Sequence, residues 1–204
     1  MLGPGIWPVT LECGDLILRP IRYSDRAEWT DVRGRNFSWL QPWEASNPQP
    51  GGGLPTYRQM VRSLTDQARQ GTALPFLITE RTPGYREPRI VGQLTVSSIL
   101  WGSAMMATLG YWVDQACAGR GIAPTAVAMA TDHCFQTLGL HRMEINIRPE
   151  NAPSLRVVEK LHFRDEGHRP KYLHINGQWA DHRSFALTSE EVPDGLLAPW
   201  LRGE

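Results

Sequence analysis

The segment GYWVDQACAGRGIAPTAVAMA, from Gly110 to Ala130, decides the fold of this chain. It begins with strand-forming aromatic residues and ends as an alanine-rich stretch with helical spacing. A strand that enters a helix through Gly119 and Gly121 presents unpaired backbone N–H groups at the helix N-terminus, where an anion such as phosphate is favoured. Because glycine lacks a Cβ, a pyrophosphate can approach this main chain closely. The alternative is a tight turn without a ligand.

The common nucleotide-binding motifs do not fit this segment. A Walker A loop has Lys after its last glycine, whereas Ile122 follows Gly121. A Rossmann fingerprint has the spacing GxGxxG, whereas Pro124 stands at the position of its third glycine. The segment therefore predicts a pyrophosphate site of another kind, with Arg120 either reaching a phosphate or facing solvent.

The composition excludes several classes of protein. The chain has 204 residues, which predicts a single domain over 1–204 with a core at about 15–188 and a C-terminal tail at 189–204. Its 21 basic and 21 acidic residues cancel, so nothing indicates nucleic-acid binding. No apolar run approaches the ~20 residues that cross a bilayer, and the N-terminus does not resemble a signal peptide. Three scattered cysteines and six dispersed histidines predict neither disulfides nor a metal site, and a reduced cytoplasmic protein is expected.

Hydrophobic periodicity and turn residues predict alternating strands and helices around the Gly110–Ala130 segment. Ser24 and Gly34 are expected to bound a first helix, and Asn176-Gly177 a type I′ hairpin turn. The stretch at 37–55, rich in Trp, Pro and Gly, is expected to be irregular. The predicted strands are 15–22, 73–80, 89–99, 106–113, 142–148 and the two arms of a hairpin at 171–188, and the predicted helices are 24–34, 56–71, 123–138 and 151–163. This order indicates a mixed α/β (α+β) sheet.

The Gly110–Ala130 segment resembles the acyl-CoA loop of the GNAT acetyltransferase superfamily. The family pattern Arg/Gln-x-x-Gly-x-Gly/Ala reads here from Ala118 to Ala123, with Ala118 in place of Arg or Gln. The segment INIRPENAPSLRVVEKLHFRDEG resembles the strand and helix that follow in the family, with Asn151 and Ser154 in the recurrent Asn-x-x-Ser spacing. The start LILRPIRYSDRAEW resembles the first strand and helix of the family. The segments FSWLQPWE and YLHINGQWADH further resemble the RimJ/RimL type, which acts on ribosomal-protein N-termini.

This resemblance implies a fold and a cofactor. The fold is a twisted, mostly antiparallel sheet of seven strands with splayed central strands and about four helices. The cofactor is acetyl-CoA, whose pantetheine arm would bind along Thr108–Val113. The residues implied in CoA binding are Tyr111, Trp112, Val113, Ala118, Gly119, Arg120, Gly121, Ile122, Ala123, Asn151 and Ser154.

The resemblance also implies direct attack of an amine on the thioester, with catalytic roles for three residues. Ser154 would protonate the leaving thiolate, although a first-turn serine without chemistry is the alternative. A backbone N–H near Tyr111 would polarise the thioester carbonyl. Glu44 would hold or deprotonate the acceptor amine, although a merely solvated glutamate is the alternative. A covalent route through Cys117 needs a positioned base, and no nearby histidine is indicated.

The activity that the resemblance implies is N-acetylation of a protein α-amine, with a ribosomal protein as the acceptor of the RimJ/RimL type. The expected enzyme is a monomer or homodimer without a nucleic-acid or membrane partner. An α-amine with a pKa near ~8 loses its proton more easily than lysine near ~10.4, so a weak base suffices. The alternatives are acetylation of a small amine, such as an antibiotic, polyamine or amino acid, and non-catalytic acyl-CoA binding.

Overall fold

A single eight-stranded sheet organises the part of the chain that the structure describes. The computed structural model describes residues 6–49 and 55–203. The strands are β1 Leu11–Cys13, β2 Leu16–Pro20, β3 Leu74–Glu80, β4 Arg89–Leu100, β5 Met106–Val113, β6 Arg142–Ile147, β7 Arg164–Ile175 and β8 Gln178–Thr188. Their order is β1-β2-β3-β4-β5-β6-β8-β7, and only β5 and β6 run parallel. The mostly antiparallel mixed sheet is confirmed, with one strand more than the seven expected, because Leu11–Cys13 pairs with β2.

Within the described residues, six α-helices accompany the sheet. They are α1 Arg26–Arg35, α2 Phe37–Leu40, α3 Tyr57–Arg69, α4 Ile122–Asp132, α5 Ala152–Lys160 and α6 Leu197–Arg202. The four predicted helices are present, and α2 and α6 are additional. A π-helical turn, His133–Thr137, extends α4. Positive φ angles of 46° at Asn176 and 84° at Gly177 confirm the expected hairpin turn between β7 and β8.

Two local expectations differ from the structure. Helix α1 begins at Arg26 rather than near Ser24, because a 3-10 turn comes first and the Asp25 carboxylate accepts the Arg22 N–H at 2.7 Å. Gly34 lies inside α1 instead of ending it. Part of the stretch expected to be irregular is helical, as α2 and the 3-10 turn Gln41–Trp43. Residues 50–54 of that stretch lie outside the described residues.

Hydrophobic clusters cover both faces of the sheet. The larger cluster includes Leu94 and Leu109 and packs against α4 and α5, whereas a smaller one around Val61 and Leu77 packs against α1 and α3. Because successive strand residues point to opposite faces, Tyr111 joins the larger cluster and Trp112 the smaller one. The side chains of these two neighbouring residues of β5 therefore pack on opposite faces of the sheet.

The two central strands separate, as expected. β5 pairs with β4 as far as Val113, but it pairs with β6 only over residues 106–108. From Leu109 onward, the β6-facing edge of β5 has no strand partner among the described residues. This gap opens the sheet at the point where the Gly110–Ala130 segment begins.

The C-terminal segment, expected to be a tail, packs onto α4. The Asp132 carboxylate of α4 accepts the N–H groups of Leu196 at 2.6 Å and Leu197 at 3.0 Å. Leu196 is buried in the larger hydrophobic cluster. This carboxylate therefore fixes α6 beside α4.

Candidate active site

The loop between β5 and α4 leaves the N-terminus of α4 open. Gly119 and Gly121 have φ angles of 80° and 81°, in the left-handed region that glycine adopts at low cost. A Cβ at Gly119 would meet nothing within 4 Å, and one at Gly121 would meet only the Trp200 ring, at 3.5 Å. No side chain of the described residues caps α4. Its first N–H groups are thus available to an anion.

A cavity of about 380 Å³ extends from this loop to the separated strands. It is bounded by β5, the loop with the start of α4, α5, and the segment at 39–43. The lining residues are Trp39, Leu40, Trp43, Tyr111, Trp112, Val113, Cys117, Ala118, Gly119, Gly121, Ile122, Ala123, Pro124, Asn151, Pro153, Ser154, Arg156, Val157 and Lys160. Ten of the eleven residues implied in CoA binding therefore lie at one cavity. Their individual contacts with a ligand stay a prediction.

Arg120 is the exception. Its guanidinium forms a two-bond ion pair with Glu80 of β3, at 2.7 and 3.1 Å. It does not line the cavity, so the solvent-facing alternative describes its position. Because a main-chain phosphate site depends on N–H groups, the loop does not need this side chain.

Asn151 and Ser154 begin helix α5. The Asn151 side chain accepts the Ser154 N–H at 3.2 Å, and Pro153 occupies the first turn. This cap fixes the backbone of Ser154 while its hydroxyl remains at the cavity. Asn151 therefore caps α5 through its side chain, and this cap leaves the Ser154 side chain available for chemistry.

The Tyr111 hydroxyl is a buried polar atom beside Ser154. Burial raises the pKa of Tyr111, and the neighbouring Ser154 hydroxyl only partly opposes this effect. The two hydroxyls do not make a hydrogen bond of normal geometry, and Tyr111 Oη has no partner among the described residues. An unsatisfied buried hydroxyl costs about 1–3 kcal/mol. Such an atom at a cavity indicates that a ligand completes its hydrogen bonds.

Glu44 lies beside the aromatic wall of the cavity but does not line it. Its carboxylate forms an ion pair with Arg33, whose guanidinium lies 5.7 Å from the Trp29 ring centroid and 5.2 Å from that of Trp112. A role for Glu44 as a base stays a prediction, and it requires this pair to open.

Cys117 lines the cavity, but its environment does not favour a thiolate. Burial and the Asp114 carboxylate raise the pKa of the Cys117 thiol, and Arg120 only partly offsets them. Cys134 is buried in the larger hydrophobic cluster. Neither thiol is therefore prepared as a nucleophile.

His182 and Asp181 do not pair, as expected from their adjacent positions on a strand. Asp181 contacts His168 Nε2 at 3.1 Å, whereas His182 Nδ1 donates to the Ala180 carbonyl at 3.0 Å. His174 Nδ1 contacts the Ser46 hydroxyl at 2.9 Å. These groups do not line the cavity.

Asp114 holds the glycine loop from outside the cavity, and no sequence pattern distinguishes it from other acidic residues. Its carboxylate accepts hydrogen bonds from Asn36 Nδ2 at 2.9 Å, Arg35 Nη2 at 2.6 Å and the Ala116 N–H at 3.1 Å. Asn36 Oδ1 in turn accepts the Gln115 N–H. The network joins the start of the loop to the end of α1, and both its central side chains are buried.

Asp114→Asn is expected to lower the free energy of unfolding by about 1–3 kcal/mol at pH 7, because an amide NH₂ would face either Arg35 or another donor. Burial alone would raise the pKa of Asp114, but hydrogen bonds from Asn36, Arg35 and Ala116 outweigh it and hold that pKa low. The ionised carboxylate therefore stabilises the fold above the unfolded pKa of about 3.9, and this contribution is lost as the pH falls through the folded value.

Urea unfolding at pH 7 and at pH 3 measures this contribution. The matched control is Asp31→Asn, since Asp31 also pairs with Arg35 but its side chain is 70% exposed; its expected effect is below about 0.5 kcal/mol. Equal losses in the two variants, or a loss in Asp114→Asn that does not shrink at low pH, would contradict the role assigned to Asp114.

Trp200 of α6 is a second feature that the sequence did not indicate. Its indole N–H donates to the Thr125 hydroxyl at 2.8 Å, and its ring lies next to Gly121. Lys160 of α5 lies 5.7 Å from the ring centroid. Helix α6 therefore borders the open end of α4. This contact depends on how α6 packs in the tertiary structure, so the sequence pattern does not reveal it.

Metal-binding clusters and membrane-spanning helices are both absent from the described ranges. In residues 6–49 and 55–203, no group of three or more His, Cys, Asp or Glu side chains is placed to hold a metal ion. No helix in the same ranges is both long and apolar enough to span a membrane.

Comparisons with known proteins agree with this geometry. Residues 15–164 match a family model described as an acetyltransferase (GNAT) domain. The chain is 29% identical to the [ribosomal protein uS5]-alanine N-acetyltransferase of Escherichia coli over 191 residues, which are 92% of this chain and 94% of that protein.

Solved structures extend the similarity to the whole fold. Mycobacterium smegmatis RimJ in complex with CoA-disulfide superimposes with a TM-score of 0.85 at 35% identity, covering 96% of this chain and 95% of that one. The ribosomal-protein-S5-alanine acetyltransferase of Vibrio fischeri gives a TM-score of 0.77 at 26% identity, covering 90% and 98%.

Proposed function

This chain belongs to the GNAT acetyltransferase family, and on that premise we propose that it transfers the acetyl group of acetyl-CoA to the N-terminal α-amine of a protein, of the ribosomal-protein class. The chain is thus an acyltransferase. Two relatives named for ribosomal protein uS5 or S5 support the acceptor class, since each matches over at least nine-tenths of this chain.

One observation carries the proposal. One cavity is lined by the loop before the uncapped N-terminus of α4, by residues 111–113 of β5 beyond its pairing with β6, and by Ser154. An anion site, strand-like backbone groups and a hydroxyl donor at one cavity suit the pyrophosphate, the pantetheine arm and the thioester of acetyl-CoA.

The residues present therefore fit CoA, and each part of the site has a task. Main-chain N–H groups from 118 to 123 would bind the phosphates, and the free edge of β5 would hold the pantetheine arm. When bound, acetyl-CoA supplies an acetyl group activated as a thioester. A backbone N–H near Tyr111 would polarise the carbonyl, and Ser154 would deliver a proton to the departing sulfur.

The acceptor would lie against the aromatic side of the cavity. Trp39, Leu40 and Trp43 form an apolar wall that an extended peptide can cover, and Arg148 fixes this wall by donating to the Pro42 carbonyl at 2.9 Å. An α-amine with a pKa near ~8 is partly neutral at physiological pH. Only a weak base, such as Glu44 or a water beside it, is then required.

A cytoplasmic location is part of the proposal. Cys13, Cys117 and Cys134 are all free thiols. Disulfides are the usual feature of oxidising compartments, and free cysteines fit a reducing one.

A thiol-release screen tests the proposed activity. With acetyl-CoA, peptides carrying the N-terminal sequences of ribosomal proteins S5 and L7/L12 are expected to give turnover at least tenfold faster than aminoglycosides, polyamines or free amino acids. The control is each peptide with its α-amine already acetylated, which removes the nucleophile and leaves the rest unchanged. Turnover with small amines but with none of the peptides would contradict the proposed protein acceptor and indicate a small-molecule acceptor.

A further inference from the structure

We propose that the Tyr111 side chain becomes a positioning residue for Ser154 when CoA binds: its hydroxyl, which has no hydrogen-bond partner among the described residues, then donates to Ser154 Oγ and directs the serine proton toward the sulfur of CoA. This inference rests on the proposed function and deepens it. The backbone of Tyr111 was expected to take part in catalysis, whereas the role assigned here belongs to its side chain.

The fold brings these two hydroxyls together from different elements. Tyr111 pairs with Leu94 of β4, a residue of the larger hydrophobic cluster, so its ring lies on the α5 side of the sheet. Ser154 lies in the first turn of α5, where the Asn151 cap fixes its backbone. Both residues line the cavity, next to the unpaired edge of β5.

Counting donors and acceptors gives the direction of the hydrogen bond. Each hydroxyl has one proton to donate and two lone pairs to accept with. Tyr111 Oη is shielded from solvent and has no hydrogen-bond partner among the described residues, so its proton is free to be donated to Ser154 Oγ. If Tyr111 donates to Ser154 Oγ, the serine proton is left for a third atom. The reverse bond would use up the only serine proton within the pair.

The surroundings of Tyr111 favour the first arrangement. Burial raises the pKa of the phenol, so Tyr111 stays protonated and remains a donor at neutral pH. The aromatic ring is anchored among apolar side chains of the larger cluster, which limits the positions that Oη can take. A neutral, fixed donor orients the Ser154 hydroxyl without itself ionising.

The proton balance of the transfer is closed. The amine nitrogen forms a bond to the acetyl carbon, the carbon–sulfur bond breaks, and its electron pair goes to sulfur. Ser154 Oγ gives its proton to that sulfur, while the Tyr111 O–H bond stabilises the negative charge that builds on the oxygen. The proton that the amine loses returns to Ser154 through solvent, so nothing is oxidised or reduced.

Tyr111→Phe removes this hydrogen bond while keeping the ring and its packing. The first measurement is the binding of CoA and of desulfo-CoA, which lacks the sulfur, to the full-length protein at pH 9. A free thiol with an ordinary pKa near ~8.5 is largely thiolate at that pH. The variant is expected to bind CoA about fivefold to tenfold more weakly than the wild type does and to bind desulfo-CoA within twofold of it. Tyr85→Phe, on an exposed tyrosine, is the matched control.

The second measurement is the pKa of the bound CoA thiol, followed by thiolate absorbance. The wild type is expected to hold this pKa below that in Tyr111→Phe and in Ser154→Ala. In turnover, Tyr111→Phe is expected to lower kcat about tenfold. Adding it to Ser154→Ala should cost less than a further twofold, because both changes remove the same hydrogen-bonded unit.

Three results would overturn the inference: equal weakening of CoA and desulfo-CoA binding, an unchanged thiol pKa in Tyr111→Phe, or independent losses of kcat in the double variant. Each would assign Tyr111 a packing role only. The binding measurements need no acceptor. If the enzyme acetylated none of the peptides, that result would contradict the proposed acceptor class, but the role of Tyr111 would still be tested by CoA binding and by the thiol pKa.

Discussion

Replacing Gly121 with glutamate is expected to raise the dissociation constant of CoA at least a hundredfold. A carboxylate at the residue that precedes α4 would either meet the pyrophosphate or cap the N–H groups that should bind it. Two unit charges 4 Å apart repel by about 4 kcal/mol at an effective dielectric of 20, which exceeds the ~2.7 kcal/mol of a hundredfold change. Calorimetric titration with CoA measures the effect.

Two variants separate charge from backbone strain. Gly121→Ala introduces only the left-handed strain, about 1–2 kcal/mol, because the nearest atom to the new Cβ would be at an ordinary 3.5 Å. Gly102→Glu places the same charge at a φ of 72°, in open space at the hairpin between β4 and β5. It is expected to leave CoA affinity within threefold of wild type. CoA affinity retained in Gly121→Glu would refute the assignment of the loop.

Ser154→Ala is expected to lower kcat at least a hundredfold while changing the dissociation constant of CoA less than threefold. A positioned general acid contributes typically 10²–10⁴-fold to a rate. The helix itself should tolerate the change, because alanine is a strong helix former and the Asn151 side chain still receives the backbone N–H at position 154. Steady-state kinetics with a peptide acceptor and direct CoA titration separate the two quantities.

Ser63→Ala is the matched control for this variant. Ser63 is an exposed helical serine whose hydroxyl only accepts a hydrogen bond from Gln67, and its removal should leave kcat unchanged. If Ser154→Ala kept full kcat, Ser154 would be a first-turn residue without chemistry, and the Tyr111 inference would lose its premise.

Local patterns predicted most of the elements. Strand-forming residues predicted β5 at its observed bounds, and the Asn-Gly pair predicted the turn between β7 and β8. The Gly119–Gly121 spacing located the open end of α4, since both glycines adopt the left-handed conformation that few other residues tolerate. These features depend on neighbours in the sequence, which is why the sequence reveals them.

Contacts between distant segments were not predictable in the same way. Asp114 and Asn36 are 78 positions apart, and nothing around either residue indicates that they share a buried network. The separation of Trp200 from Thr125 is 75 positions. Helices α2 and α6 were missed because four and six residues are too few to show helical periodicity.

By itself, the sequence determined the order of elements, the glycine loop and the pairing of Asn151 with Ser154, because spacing along the chain controls turns, caps and amphipathic faces. Only the tertiary structure decided which side chains meet. It directed Arg120 to Glu80 and Glu44 to Arg33, and it placed the buried Tyr111 hydroxyl beside Ser154. The physical reason is that side-chain partners are selected by strand register and helix packing, which bring together residues far apart in the chain.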